Sequence, residues 1–184
     1  MPTVTIDSMS DPRVAVYRNL KDRELAREGG LFIAEGEFLV RRLLASTYPT
    51  HSLLLAERKA EQIAPLVGDD TPVYIVNEEV MKDLLGYKFH SGVMAAGRRK
   101  PPESLESVMD SGEGGEARTY LVCPEIINAD NMGSIIRIAA GFGVDALVLG
   151  EQCCDPFWRR SIRVSMGTIF HLPLYRSADL LGDL

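Results

Sequence analysis

The chain has 184 residues, 46% of them hydrophobic and 25% charged, with a net charge of -6. These proportions suit an ordinary globular protein of one domain or two small ones. They exclude a transmembrane helix, since no apolar run approaches the ~18 residues needed. They also exclude a disulfide framework, since Cys123, Cys153 and Cys154 form an odd set with two members adjacent.

The polar start, residues 1–10, lacks the basic and apolar regions of a secretion signal, so a cytoplasmic protein with reduced thiols is expected. No Cys-x-x-Cys pair occurs, and His51, His90 and His171 are scattered, so no metal site is expected. Residues 14–27 are charged and helix-compatible. Residues 31–34 form a short apolar run. Residues 35–45 place Leu39, Val40, Leu43 and Leu44 on one helical stripe. Leu53, Leu54 and Leu55 read as a buried strand, 58–67 as a short helix and 73–76 as a β-branched strand. Asn77 can cap a helix that runs to Leu85 and stops at Gly86, and 92–96 supply a last strand. This alternation predicts a sheet covered by helices.

Residues 101–117 read as a linker. Pro101 and Pro102 open it, Gly112-Glu113-Gly114-Gly115 closes it, and few apolar residues lie between, so a flexible, solvated segment is expected. Glu103, Glu106, Asp110, Glu113 and Glu116 lie there without a single Lys or Arg, so most of the net negative charge sits in this segment. Basic clusters elsewhere keep a phosphate-bearing partner open: Arg13, Arg18, Lys21, Arg23 and Arg27; Arg98, Arg99 and Lys100; Arg159, Arg160 and Arg163.

Beyond the linker the pattern becomes strand (119–123), helix (131–141), strand (145–149), helix (157–164), strand (170–175), with a further helix starting at Ser177. Such units build a parallel sheet, and three strands make a thin one. The segment 128–140 is the most specific, because it follows a strand and opens a helix, where open α/β sheets hold ligands. Asn131 is expected to cap that helix, Gly133 to allow close approach, and Arg137, on the face of Gly133, to need an anionic or polar partner. Taken alone, the segment reads first as a helix cap with a surface arginine. In 149–167, a proline-containing loop leads into a basic helix. Its arginines can bind phosphate and Trp158 can stack on a base, or the helix is simply a solvated face with Trp158 on the core. Gly141-Phe142-Gly143-Val144-Asp145-Ala146 fits G-x-G-x-x-A but follows a helix, so it is a helix stop and not a dinucleotide site.

The order of Asn131, Gly133, Ile136, Arg137 and Ala139, then Gly143-Val144-Asp145, Leu147-Val148-Leu149-Gly150, Asp155-Pro156, Arg163, Ser165 and Gly167, resembles the SpoU (TrmH-like) RNA 2'-O-ribose methyltransferases of the knotted SPOUT class. Pro12-Arg13-Val14, Leu20-Lys21, Arg23, Arg27, Leu31-Phe32 and Ala34-Glu35-Gly36-Glu37 resemble that family's substrate-binding domain. The resemblance implies an α/β protein: an L30e-like domain over 1–100, the linker, and the N-terminal part of the methyltransferase domain over 118–184. It implies S-adenosyl-L-methionine as donor, tRNA or rRNA as partner, a homodimer and no membrane. It assigns catalysis to Arg137 and Asn131. Arginine stays protonated, so Arg137 is expected to clamp phosphate and not to act as a base. Gly150 is implied at the donor. Arg13, Arg18, Lys21, Arg23, Arg27, Arg159, Arg160, Arg163 and Ser165 are implied at the RNA. Asn128-Ala129 stands where the family often has Asp-Pro. The family's later Gly-x-Glu-x-x-Gly and Ser-Leu-Asn-Val-Ser segments, which form the knot and most of the donor pocket, are not found before Leu184. A fragment, or a chain that has lost the donor site, is therefore expected. The competing readings are a non-catalytic RNA-binding module and, less well supported, a nucleotide-dependent enzyme on a Rossmann-like sheet.

Overall fold

The apolar runs of the N-terminal half are buried on both sides, which is why they read as continuous stretches and not as alternating ones. The computed structural model describes residues 3–18, 22–101, 104–110 and 118–184. It places β1 (Thr3–Thr5), β2 (Leu31–Glu35), β3 (Thr50–Ala56), β4 (Val73–Val76) and β5 (Val93–Arg98) in one sheet of order β1-β4-β3-β5-β2. β1, β4 and β3 are parallel, and β5 runs antiparallel to both β3 and β2. The chain divides into two compact units, Met1–Arg99 and Lys100–Leu184.

Among the described residues, four α-helices belong to the first unit: α1 (Asp22–Gly29), α2 (Glu37–Leu44), α3 (Glu57–Ile63) and α4 (Glu78–Leu85). Ile33, Leu54, Ala56, Val76, Met94 and Ala96 form one face of the sheet and pack with Val14, Tyr17, Val80, Met81 and Leu84. Phe32, Ala34, Leu53, Leu55, Val73, Val93 and Ala95 alternate with them and are also buried. Helix α2 packs against β2 and β5, and α3 against β3 and β4. Asn77 caps α4 through Val80 N–H at 2.8 Å, and Gly86 ends it at φ 80°, both as expected from the sequence.

The expected helix over 14–27 is divided. A 3-10 turn, Pro12–Tyr17, is capped by Asp11, and Arg18 leaves it in extended conformation before α1 begins. The physical reason is Tyr17, fully buried, whose hydroxyl donates to the Ser52 carbonyl at 2.8 Å and pins the turn to β3. Burial pushes its phenol well above the usual range, so it stays protonated. Strand β1 went unread because Thr-Val-Thr carries no apolar run; it is an edge strand recruited by β4. The helix expected over 58–67 ends at Ile63 and closes with a 3-10 turn at Pro65, which has no N–H to continue the ladder.

In the second unit, β6 (Tyr120–Cys123), β7 (Ala146–Leu149) and β8 (Leu174–Arg176) form a parallel sheet of that order. Every residue of the central strand β7 is buried. The expected strand 170–175 starts late. Phe170 belongs to a 3-10 turn, Thr168–Phe170, entered through left-handed Gly167, and β8 begins only after Pro173. Between the strands in sequence lie α6 (Ala129–Gly141) and α7 (Arg159–Val164), which pack on each other. The expected helix stop is present: Phe142 caps α6 and Gly143 follows at φ 71°.

The linker reading is corrected in part. Residues Leu105–Asp110 form a helix, α5, that packs on β8 with Val108 buried, so this stretch is not simply solvated chain. The Gly112–Gly115 run lies outside the described residues. The last helix, α8 (Leu180–Asp183), starts after an Asp179 cap and not at Ser177. No helix among the described residues is long and apolar enough to cross a membrane.

Gly97 of β5 gives a direct test of the first unit's packing. A Cβ there would stand 2.3 Å from Cζ of the Phe32 ring, whereas nothing lies within 4 Å of a Cβ on Gly68. Gly97→Ala is expected to destabilise the chain by about 1–3 kcal/mol in urea unfolding, and Gly68→Ala to stay within about 0.5 kcal/mol. Equal midpoints would contradict this packing.

Candidate functional site

Parallel strands deliver their carboxyl ends, and the loops that follow, to one edge of the second unit. Three loops meet there. Gly150 N–H donates to the Cys123 carbonyl at 2.9 Å, and Cys154 N–H to Ile126 O at 2.7 Å, so the loop after β7 is tied to the loop after β6. Ser177 N–H donates to Leu149 O at 2.8 Å, and Arg176 Nη2 to Cys153 O at 2.5 Å, which ties in the loop after β8. Gly150 is required, because a Cβ on it would run into the Pro124 carbonyl. Ile127, 73% exposed, leaves an apolar surface at this edge.

The three cysteines gather here, buried, and the Cys153 thiol points at the Cys123 carbonyl at 3.2 Å. Burial pushes the Cys123 and Cys154 thiols up, so at neutral pH they are thiols, unsuited to nucleophilic attack. Asp183 accepts from the Tyr175 and Ser177 hydroxyls, which holds its carboxyl below the usual range and fixes α8 against β8. Among the described residues no group of three or more His, Cys, Asp or Glu could hold a metal ion.

Asn131 does not cap α6. The cap is Asn128, whose Oδ1 accepts from Asp130 N–H at 2.7 Å and Asn131 N–H at 3.2 Å. The helix starts earlier than the apolar pattern suggested because Asn128 supplies the acceptor directly after the strand-end loop. Asn131 itself is exposed in the first turn. Gly133 does allow close approach, but to α7: a Cβ there would stand 2.6 Å from Ser161 O and 2.7 Å from Val164 Cβ. Arg137 does not share that environment. It is exposed, beside Ile138 at 57% and close to Phe142 at 85%, and no protein group of the described residues partners it.

Of the α7 arginines, Arg160 pairs with Asp130 at 2.6 Å, which cross-links the two helix starts. Arg163 is exposed, and Arg159 and Trp158 are half-buried. Ser165, expected at RNA, is fully buried and donates to Ile162 O at 2.9 Å. It closes the helix and presents nothing to a ligand in this structure. The Asp130–Arg160 pair and the Arg176 tie escaped the sequence reading, because each joins residues more than 20 positions apart.

In the first unit, Arg13 pairs with Asp11 at 2.5 Å and Arg18 Nη2 donates to Asp11 O at 2.5 Å. Asp11 therefore offsets part of the charge expected to face RNA. Arg23 and Arg27 are exposed on α1, and Lys21 lies outside the described residues. Glu37 at the start of α2 accepts from Lys59 and Arg41, which lower its carboxyl.

Residues 118–182 match the SpoU rRNA Methylase family. An uncharacterized tRNA/rRNA methyltransferase of Mycobacterium bovis is 40% identical over 179 residues, covering 95% of this chain and 60% of its own length. A 23S rRNA guanosine 2'-O-methyltransferase of Bacillus subtilis is 24% identical over 173 residues, covering 93% of this chain and 64% of its own. The AdoMet-bound rRNA methyltransferase of Sinorhizobium meliloti superposes with a TM-score of 0.76 at 27% identity, over 95% of this chain and 64% of that one. The chain thus spans about 60% of the length of the curated mycobacterial relatives it matches.

Two measurements test this geometry. Gly133→Ala forces α6 from α7 and is expected to cost about 1–3 kcal/mol. Gly141→Ala meets nothing within 4 Å and is expected to be neutral or stabilising by up to about 1 kcal/mol. The reverse order would contradict the helix contact. The Arg13 hydrogen bonds hold Asp11 at about 2, against an ordinary 3.8. A carboxyl lowered on folding contributes above its unfolded value, and that contribution is lost as pH falls through about 2. Arg13→Gln is expected to return the Asp11 NMR titration midpoint toward 3.8; an unmoved midpoint would refute the pairing.

Proposed function

We propose, for a chain whose residues 118–182 belong to the SpoU rRNA methylase family, that it works within an enzyme moving a methyl group from S-adenosylmethionine to a ribose 2'-hydroxyl of tRNA or rRNA. The observation that carries this reading is the edge of the second unit. There Gly150 and its loop close against Pro124 at the carboxyl ends of parallel strands, in the order and spacing of the family's motifs. Similarity to an AdoMet-bound rRNA methyltransferase and to a 2'-O-methyltransferase supports donor and acceptor alike.

The residues present are compatible with one wall of a donor site. Backbone groups around Gly150 and the apolar Ile127 suit an adenosine, while Glu151 and Arg176 already serve internal bonds. When bound, the donor supplies an activated methyl group. The protein's share is to align the hydroxyl with it and hold the nucleotide. Arg137 is assigned to that clamp: it is exposed and makes no ion pair or hydrogen bond among the described residues, and it stays charged at any working pH. Asn131, exposed in the first turn of the same helix, is assigned to the same site. Arg159, Arg160 and Arg163, with Arg13, Arg18, Lys21, Arg23 and Arg27, supply phosphate contacts, and residues 1–100 act as the L30e-like RNA-binding domain, joined by 101–117. A cytoplasmic homodimer completes the reading. The second reading, an RNA-binding module without donor, is favoured by the internal use of Glu151 and Arg176.

Calorimetric titration of the chain with S-adenosylhomocysteine separates the two. Saturable binding supports the enzyme, and its absence with RNA binding retained supports the module. In an active preparation, Arg137→Lys is expected to lower turnover about ten- to a hundredfold, the worth of a lost charged hydrogen bond. Undiminished turnover would remove Arg137 from the clamp.

A further inference from the structure

Several arginines of the chain are matched by carboxylates: Arg13 by Asp11, Arg41 by Glu37, Arg58 by Glu78 and Arg160 by Asp130. Arg98 differs. It is exposed at the end of β5, and its partner is the His51 ring, with Nη2 donating to Nδ1 at 2.9 Å. An imidazole that accepts at Nδ1 is neutral, so the pair keeps the full charge of the guanidinium. Partial burial first, and Arg98 second, hold His51 below its ordinary pKa, which keeps it an acceptor at neutral pH.

The pairing is built into the sheet. β3 and β5 lose register between Thr50 and Ser52, so His51 sits in a bulge. Bulges re-aim side chains at sheet ends. Arg98 N–H donates to Pro49 O at 2.8 Å and Arg99 N–H to Gly30 O at 2.7 Å, which joins the end of β5 to the entries of β3 and β2. Helix α1 ends at Gly29, so its last turn leads into β2 at the same end of the sheet. Two stretches far apart in sequence thus bring His51 and Arg98 together, and the fixed fork of Arg98 is oriented before any ligand arrives.

We propose that this end of the five-stranded sheet, centred on Arg98 held by His51, is a binding surface for the phosphate backbone of the RNA substrate. It lies outside the residues assigned from the family motifs, and it rests on the reading of the protein as RNA-binding. A preoriented guanidinium loses less freedom on meeting a phosphate than a mobile one, and its bidentate geometry matches the phosphate oxygens.

The test is the salt dependence of binding to bulk tRNA by the full 184-residue chain, followed by fluorescence anisotropy. Arg98→Gln is expected to weaken binding about two- to fivefold and to flatten the log–log salt slope by about 0.7–0.9, the share of one phosphate contact. Arg98→Glu should weaken it further, and Arg98→Lys should restore the slope. Arg98 is exposed, so the variants keep the parent's circular dichroism. Parent-like affinity and slope in both Arg98→Gln and Arg98→Glu would overturn the inference and leave the RNA reading standing. Failure of the unsubstituted chain to bind tRNA at all would overturn the RNA reading, and this inference with it.

Discussion

The second unit depends on one close approach. Gly133 has no side chain, so α6 can settle with its backbone against the carbonyl of Ser161 and the side chain of Val164. That contact sets where α6 begins relative to α7, and so lets Asp130 reach Arg160 and the Ser161 hydroxyl reach Ala129 O. The loop ahead of α6 and the loop ahead of α7 are the loops that leave β6 and β7, so a spacing fixed in the helix layer is transmitted to the strand ends. A larger residue at 133 would spread the layer and loosen the edge on which the proposed chemistry depends.

Charge is handled locally. A net charge of -6 looks unfavourable for an RNA partner, but long-range repulsion between exposed charges is screened over about 8 Å at physiological salt. What a phosphate meets is the nearest cluster. Some clusters are tempered by acids, as Arg13 is by Asp11, and others keep their charge, as Arg98 does by pairing with a neutral ring. Sequence counting alone gives these arginines equal weight; the structure ranks them.

Features set by local rules were legible. The Asn77 cap, the Gly86 stop and the buried β7 follow from propensity, capping and periodicity within a few residues. What depends on distant partners was not. β1 exists because β4 offers it an edge, the 3-10 turn at Pro12–Tyr17 because Ser52 holds the Tyr17 hydroxyl, and α5 because Val108 finds β8. The site was readable as a segment but not as roles. Asn128 caps where Asn131 was expected, and Ser165 is buried where a ligand contact was expected. A lone sequence cannot separate a residue that builds the turn from one that faces the substrate, since both need the same side-chain types. The match of residues 118–182 to the SpoU rRNA Methylase family joins these pieces.

The most direct measurement is to incubate the protein with S-adenosylmethionine carrying a labelled methyl group and with ribosomal RNA and tRNA, then hydrolyse the RNA in alkali. A methyl group on the 2'-oxygen blocks attack on the adjacent phosphate, so the expected result is label retained in alkali-resistant dinucleotides. Label released in mononucleotides would mean that a base is methylated, and would contradict the ribose 2'-hydroxyl as acceptor.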